Sequence, residues 1–387
     1  PIPVPDPDAV ATFYNGGANI GSLTVALGSY QTGDVLSVAN QGSGAGQIGV
    51  SGSTVSYGGT AFATITGGSA NNLVPTFTSN AATPAAVGAL LAQLRYSSTS
   101  DDPTVNGTQT GRALTITLND GGNSKGATSS TGALTAALSG TIAVTAVNDA
   151  PVLGGALPSP TFVENGSAVV LDGGLTVSDV DDTQIASATV AIAAGFQAGD
   201  TLGYVSQAGI TGTYDTGTGV LTLTGTATLA QYQAALRSIT FVTSSDDPTA
   251  NGTAATRSIN WTVTDAGSDA AAATSLTRTT TLTVTPQQDA PVISAGGTLA
   301  YTENAAAQGI HGSVSVVSDA DDTQLSGATI TISSGYTAGD VLSFTPQNGI
   351  SIVSNAKGVL ALTGNATLAQ YQAALRSVGY ASPSEDP

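Results

Sequence analysis

The chain contains no cysteine and no methionine, and it has one histidine, one tryptophan and eight basic residues in a length of 387. Without cysteine there can be no disulfide, no thiolate metal site and no cysteine nucleophile. A histidine-based zinc site or a Ser-His-Asp triad has a single place to start, His311, which sits beside Gly309 and Gly312 in a predicted loop. No run approaches the roughly 18 apolar residues needed to span a bilayer, so membrane insertion is not expected. The lack of methionine and of a signal sequence at Pro1 is what a piece of a longer chain would show. No Gly-x-Gly-x-x-Gly run follows a strand and opens a helix, which argues against a nucleotide site. With 26 acidic against 8 basic residues the net charge is −18. That charge opposes nucleic acid and anionic membranes and favours cations, or surfaces reached through cations.

What the chain has in abundance is glycine, 48 residues, together with Thr, Ser, Val and Ala, while only 9% of it is charged. This composition suits short strands and turns better than long helices, and the 41% hydrophobic content is too high for a disordered acidic tail. The strongest single signal is a repeat. TLAQYQAALRS occupies Thr228 to Ser238 and recurs letter for letter at Thr367 to Ser377. Leu229, Tyr232, Ala235 and Leu236 share one helical face, Thr228 and Gln231 have the capping-box spacing, and Arg237 suits a helix C-terminus. A looser cousin opens at Thr83-Pro84, with Val87, Leu90, Leu91 and Leu94 on one face. Each helix is expected to plug one end of a β-domain, and each is followed by an acidic turn ending in proline: Asp101-Asp102-Pro103, Asp246-Asp247-Pro248 and Glu385-Asp386-Pro387. Adjacent carboxylates in such a turn point apart, so they do not make a glycosidase-like acid–base pair.

Pro1 to Asp8 is an extended lead-in whose prolines suit it poorly to a central strand. The first repeat is expected to run over 1–149, with strands at Leu23 to Leu27, Val35 to Val38, Thr54 to Tyr57, Phe62 to Ile65 and Ala113 to Leu118, and a last strand at Thr141 to Val147. Asn148-Asp149-Ala150-Pro151 marks the first boundary, and Asp289-Ala290-Pro291 repeats it 140 residues on. Residues 150–289 form the one complete repeat. Its strands are expected at Ala168 to Leu171, Ser187 to Ile192, Ile239 to Val242, Ser258 to Val263 and Thr279 to Val284, with a Gly-rich hairpin turn at Asp215 to Gly219. Ile259, Trp261 and Val263 fall on one face, which makes Trp261 a core residue. Residues 290–387 repeat the same order but stop at the match to Pro248, before the last strands.

Many short strands, Gly-rich turns and one short helix per unit predict an all-β chain of tandem β-sandwiches of about 140 residues. The junction Asn148-Asp149-Ala150-Pro151, Glu164 soon after it, and the Asp-x-Asp-Asp loops Asp179 to Asp182 and Asp319 to Asp322 resemble a cadherin repeat. More narrowly, the chain resembles the long cadherin-like tandem repeats of bacterial surface adhesins and biofilm proteins, well over 150–387 and less so over 1–147.

That resemblance implies calcium (Ca2+) between successive repeats, held by a Glu of the upstream unit, the linker, and the Asp-x-Asp loop of the downstream unit. Carried over, the junction between the second and third repeats would use Glu164, Asp289, Asp319 and Asp321, with Asp322 nearby. The junction before it would use Asn148, Asp149, Asp179 and Asp181, with Asp182 nearby. Glu303 keeps the Glu position in the third copy. Two departures stand out: Gln288 replaces the linker Asn, and the first repeat offers no matching Glu. The chemistry agrees, since calcium takes about six to eight oxygen ligands and clustered carboxylates repel one another without a cation. The plainer expectation is that these aspartates are turn formers and solubilising charges.

Three functions follow as expectations. The first is a non-enzymatic extracellular repeat region of a large bacterial surface protein, stiffened by calcium so that it projects a binding module or resists force, with cell-surface or matrix ligands as its partners. The second is a self-assembling subunit of a filament, sheath or surface layer, in which copies of the chain are the partners. The third, an accessory domain of a secreted carbohydrate-active enzyme, needs an aromatic platform that 5% scattered aromatics do not supply.

Overall fold

The computed structural model describes residues 2–3, 21–119, 135–267, 271–294, 296–310 and 316–383. The His311 expectation lies outside the described residues, as does most of the lead-in. Of that lead-in, Ile2–Pro3 pairs antiparallel with Leu94–Ser98 at the edge of a small sheet, in keeping with prolines that cannot donate to a central ladder.

The described residues are mainly strands, arranged in paired sheets around separate apolar cores. One core runs from Leu23 to Ile116, a second from Phe162 to Val284, and the remaining buried apolar residues fall between Val317 and Val378. Three nine-residue helices interrupt the strands: α1 at Pro84–Ala92, α2 at Leu229–Arg237 and α3 at Leu368–Arg376. All three start as the sequence predicts. The side chain of Thr83 accepts from the N–H of Ala86, and both Thr228 and Thr367 form full capping boxes with Gln231 and Gln370.

The second unit shows how the sandwich closes. Its larger sheet runs in the order Thr161–Val163, Arg278–Thr285, Thr256–Asp265, Gln184–Ala194, Val220–Thr228, Thr211–Asp215. A smaller sheet of Val169–Val170, Thr240–Thr243 and Asp200–Gly203 belongs to the same unit. Alternation does the sorting. Ile259, Trp261 and Val263 point inward and are fully buried, and the indole N–H of Trp261 donates to Thr280 Oγ1 at 3.1 Å. Helix α2 buries Tyr232, Ala235 and Leu236. The Tyr232 hydroxyl donates to the carbonyls of Gly225 (2.8 Å) and Ala186 (3.1 Å), at the bulge where the central strand shifts register. The helix is thus the structural plug its composition suggests.

One strand is displaced from expectation. The last strand of the first unit is Thr135–Ala143, not Thr141–Val147, because it pairs residue for residue with Gly111–Asn119 from Thr135↔Asn119 to Ala143↔Gly111. Hairpin register, and not the apolar run, sets its limits. Residues after Ala143 are left to form the linker.

A buried ion pair sits at the same place in the first two units. Arg112 Nε donates to Asp34 Oδ2 at 2.7 Å, and Arg257 Nε donates to Asp200 Oδ2 at 2.5 Å, with all four side chains excluded from solvent. Backbone carbonyls take up the remaining donors: Ala254 and Pro248, for example, each accept from Arg257 at 2.7 Å. Removing one partner of such a pair costs about 3–5 kcal/mol, because the other charge is left buried and alone.

Candidate metal centre at the linkers

Both Asp-x-Asp-Asp loops fold by the same device. Asp179 Oδ1 accepts the N–H of Asp181 (3.2 Å) and of Asp182 (3.0 Å); Asp319 Oδ1 accepts the N–H of Asp321 (3.3 Å) and of Asp322 (3.0 Å). The first Asp of each loop is therefore a turn former, as the plainer expectation holds. The turn has a further consequence. It gathers three carboxylates, with one oxygen from each lying within 4.8 Å of the others, at Asp179, Asp181 and Asp182 and again at Asp319, Asp321 and Asp322.

The linkers close onto these loops. At the first, the N–H of Asp149 donates to Asp181 Oδ2 at 2.9 Å, and Asn148 Nδ2 donates to Asp265 Oδ2 at 3.0 Å. Asp149 itself is exposed, while Asp181 and Asp182 are 1% and 3% exposed. At the second, the N–H of Asp289 donates to Asp321 Oδ2 at 3.3 Å, and Gln288 Nε2 donates to Asp322 Oδ2 (2.6 Å) and Asp321 Oδ1 (3.3 Å).

Glu164 reaches the second linker through sheet topology. The strand before it, Thr161–Val163, pairs in parallel with the end of Arg278–Thr285, so Glu164 emerges beside the residues that begin the linker. Its N–H donates to the Thr285 carbonyl at 3.0 Å, and its Oε2 accepts the N–H of Gln287 at 2.8 Å. Asn165 then turns the chain away with a φ of +60°, a conformation that Asn tolerates better than most residues. Glu303, by contrast, is exposed and belongs to neither acidic cluster.

Electrostatics agree with the geometry. Burial pushes the Asp179 carboxyl up to about 6, and the neighbouring Asp181 adds to the rise. Burial also raises Glu164, reinforced by the negative charges of Asp289, Asp321 and Asp246, and burial together with the Asp319 carboxylate raises Asp321. Buried side-chain oxygens almost always find a donor. Here Asn148 Oδ1, Glu164 Oε1, Asp179 Oδ2 and Asp289 Oδ2 are buried without one. Such a set, all oxygen and largely carboxylate, fits a hard cation of the calcium type.

Two residues of these sites escaped sequence reasoning. Asp265 is fully buried at the end of its strand, accepts the N–H groups of Gly267 and Ala273 at 3.0 Å, and receives Asn148. The signal was parity: Asp265 continues the inward face of Ile259, Trp261 and Val263, where a carboxylate has no reason to be unless something compensates it. Asp246 and Asp247 are neighbours in one acidic turn, but the two differ. Asp247 is committed to its turn by three bonds from Asn251, two from the N–H at 3.0 and 2.9 Å and one from Nδ2 at 3.0 Å. The charge of Asp246, in contrast, acts on Glu164.

No protein-family profile matches the chain. A stretch of 91 residues is 44% identical to a halomucin of Haloquadratum walsbyi, covering 22% of this chain and 1% of that protein. Among solved structures, the chain aligns with the extracellular cadherin domains 1–4 of protocadherin gamma B7 at 15% identity over 91% of this chain and 60% of that one, with a TM-score of 0.24. It also aligns with domains 1–3 of mouse protocadherin-24 at 14% identity over 94% of this chain and 82% of that one, with a TM-score of 0.25. The all-β assignment rests on the strands and sheets described above. Among the described residues no helix is long and apolar enough to cross a membrane.

Proposed function

We propose that the chain is a non-enzymatic repeat region of a large extracellular surface protein, in which calcium at each linker ties one β-sandwich to the next. The units would be 1–149, 150–289 and 290–387. The observation that carries this reading is the convergence, at each linker, of buried oxygens from separate segments with no protein donor to satisfy them. At the second linker Glu164, Asp289, Asp319, Asp321 and Asp322 would hold the ion, with Asp246 contributing charge. At the first, Asn148, Asp149, Asp179, Asp181, Asp182 and Asp265 would do so. When bound, calcium supplies the positive charge that cancels the mutual repulsion of these carboxylates. The chain's own part is positional. Asp179 and Asp319 shape the loops, the parallel strand delivers Glu164, and the Asp149 and Asp289 N–H groups lock linker to loop. The short stretch shared with a halomucin is in keeping with an extracellular chain.

Extracellular calcium modules bind at roughly 0.1–1 mM, so at a few mM calcium each ion adds on the order of 1 kcal/mol, and several would add about 2–4 kcal/mol. Chelation should therefore lower the melting temperature of the whole chain by several degrees. A melting curve that is the same in calcium and in excess chelator would sink the calcium assignment.

A further inference from the structure

Four Asn-Gly pairs lie within the described residues: Asn106-Gly107, Asn165-Gly166, Asn251-Gly252 and Asn348-Gly349. An Asn followed by Gly is open to deamidation, because a residue without Cβ leaves its backbone nitrogen free to approach the Asn side chain. Three of the four pairs are tied against that approach. The Gly107 N–H donates to Thr104 Oγ1 at 3.2 Å, and the Gly252 N–H donates to Thr249 Oγ1 at 3.1 Å. In the same two pairs Asn106 Nδ2 donates to Asp102 at 3.4 Å and Asn251 Nδ2 donates to Asp247 at 3.0 Å. Each carboxylate opposes the negative charge that attack would build on the neighbouring amide oxygen. The Gly166 N–H donates to the Val163 carbonyl at 2.9 Å.

Asn348-Gly349 is built differently. The pair forms a two-residue turn between Gln347 and Ile350, whose main chains exchange hydrogen bonds of 3.1 and 2.8 Å. Both turn residues have positive φ, +51° and +80°, as a type I′ turn requires. Both are exposed, and a Cβ built on Gly349 would meet nothing within 4 Å. Among the described residues the Gly349 N–H donates to no protein atom, and the Asn348 side chain makes no hydrogen bond. The second unit makes the same turn with Ala208-Gly209, at φ of +51° and +80° and equally exposed. The openness of the turn therefore belongs to the repeat itself, and the turn does not need an Asn to form.

We propose that Asn348 is a modification site at which the folded chain deamidates, with water as the co-reactant. The Gly349 nitrogen bonds to Asn348 Cγ as the Cγ–Nδ2 bond breaks. The Gly349 N–H proton passes through solvent to Nδ2, which leaves as ammonia, and a five-membered succinimide remains. Water then opens the ring at one of its two carbonyls, giving aspartate or isoaspartate; nothing is oxidised or reduced. Either product adds a negative charge, and isoaspartate also lengthens the main chain by one carbon inside a tight turn. That turn places Ile350, which is 1% exposed, and Gln347, whose Nε2 donates to Ser377 Oγ at 2.8 Å beside the C-terminus of α3. The isoaspartate form should therefore loosen the corner where turn and helix meet. The site does not depend on cations at the linkers.

The test is to hold the full chain at pH 8, once in native buffer and once in denaturant, and to follow each Asn-Gly peptide by mass spectrometry. In native buffer Asn348 should deamidate about tenfold faster than Asn106 and Asn251 and about threefold faster than Asn165. Each hydrogen bond that must open first slows the reaction by roughly a factor of two to ten. In denaturant the four rates should draw together, because the bonds that distinguish them are gone. Asn348→Ala, which copies Ala208 of the second unit, should remove the fast deamidation and leave the melting temperature unchanged. Equal rates at the four sites in the folded chain would overturn the proposal, and so would a faster rate at any of the other three. The same order of rates in denaturant would overturn it too, since the sequence alone would then set the rates. The comparison of folded with unfolded chain needs no variant, so it decides even if Asn348→Ala does not fold.

Discussion

At the first linker Asn148 turns its amide N–H toward Asp265 and leaves Oδ1 buried without a donor; at the second, Gln288 reaches one methylene further and donates to Asp321 and Asp322 themselves. The loops beneath are alike, but Asp181 and Asp182 are buried while Asp321 is half-buried and Asp322 exposed. The first linker draws its extra carboxylate from the downstream unit, Asp265; the second draws one from the upstream unit, Glu164. One loop design is thus completed from opposite sides, and if the sites hold a cation as proposed, the more buried one should depend on it more strongly. Three buried carboxylates at the first linker (Asp181, Asp182 and Asp265) carry a larger desolvation cost than a cluster whose third member faces water and accepts a hydrogen bond from the Gln288 amide.

Asp265→Asn is the substitution with the largest expected effect on this comparison. An Asn oxygen can still accept from Gly267 and Ala273, so the loop keeps a partner while a buried charge disappears. In calcium the variant should lose about 1–2 kcal/mol of stability, and in chelator it should be neutral or slightly stabilised, because repulsion at the cluster is relieved. Thermal melts in the two conditions check this. A loss of equal size in both would mean that Asp265 only holds its loop, and the contrast between the linkers would collapse.

Much of this was legible in the residues. The duplicated Thr228–Ser238 segment fixed the repeat and its capping boxes, and strict alternation placed Trp261 in the core. The loops were legible because Asp at turn positions has a local hydrogen-bonding reason to be there. What local pattern could not supply was the partner in space. Asp246 and Asp247 look equivalent in sequence, and only the Asn251 clamp distinguishes them. The limits of Thr135–Ala143 depend on its hairpin partner Gly111–Asn119, because the strand itself has few large apolar residues to announce it. Glu164 was singled out by resemblance; its approach to Asp289 comes from a parallel pairing between segments some 120 residues apart.

Acidification gives the next, smaller effect and sharpens the contrast by its sign. The Asp179 carboxyl titrates near 6 in the folded chain, against about 3.9 when unfolded. Because the folded state binds this proton more tightly, stability in chelator should rise as pH falls from 7 through 6 toward 4. Glu164 and Asp321, also raised, push in the same direction. In calcium the trend should reverse, since the ion needs deprotonated ligands. Melting temperatures at several pH values with and without calcium would show two slopes of opposite sign; parallel slopes would mean that protons and calcium do not compete at these clusters.

The smallest effect comes from Gln288→Asn, which gives the second linker the side chain found at the first. The shorter amide cannot span to Asp322 as Gln288 does at 2.6 Å, so that carboxylate is released and the amide oxygen is drawn back toward the position of Asn148 Oδ1. Releasing one carboxylate from a neutral donor should improve calcium affinity by about two- to fivefold, under 1 kcal/mol. The gain is modest because Gln288 Nε2 is a neutral donor at an exposed site, where such a bond is worth little. A calcium titration in a chain whose first linker is silenced by Asp181→Ala would isolate the change. If the midpoint does not move, the amide is not what separates the two linkers, and their difference must lie in the burial of Asp181 and Asp182 and in the added charge of Asp265.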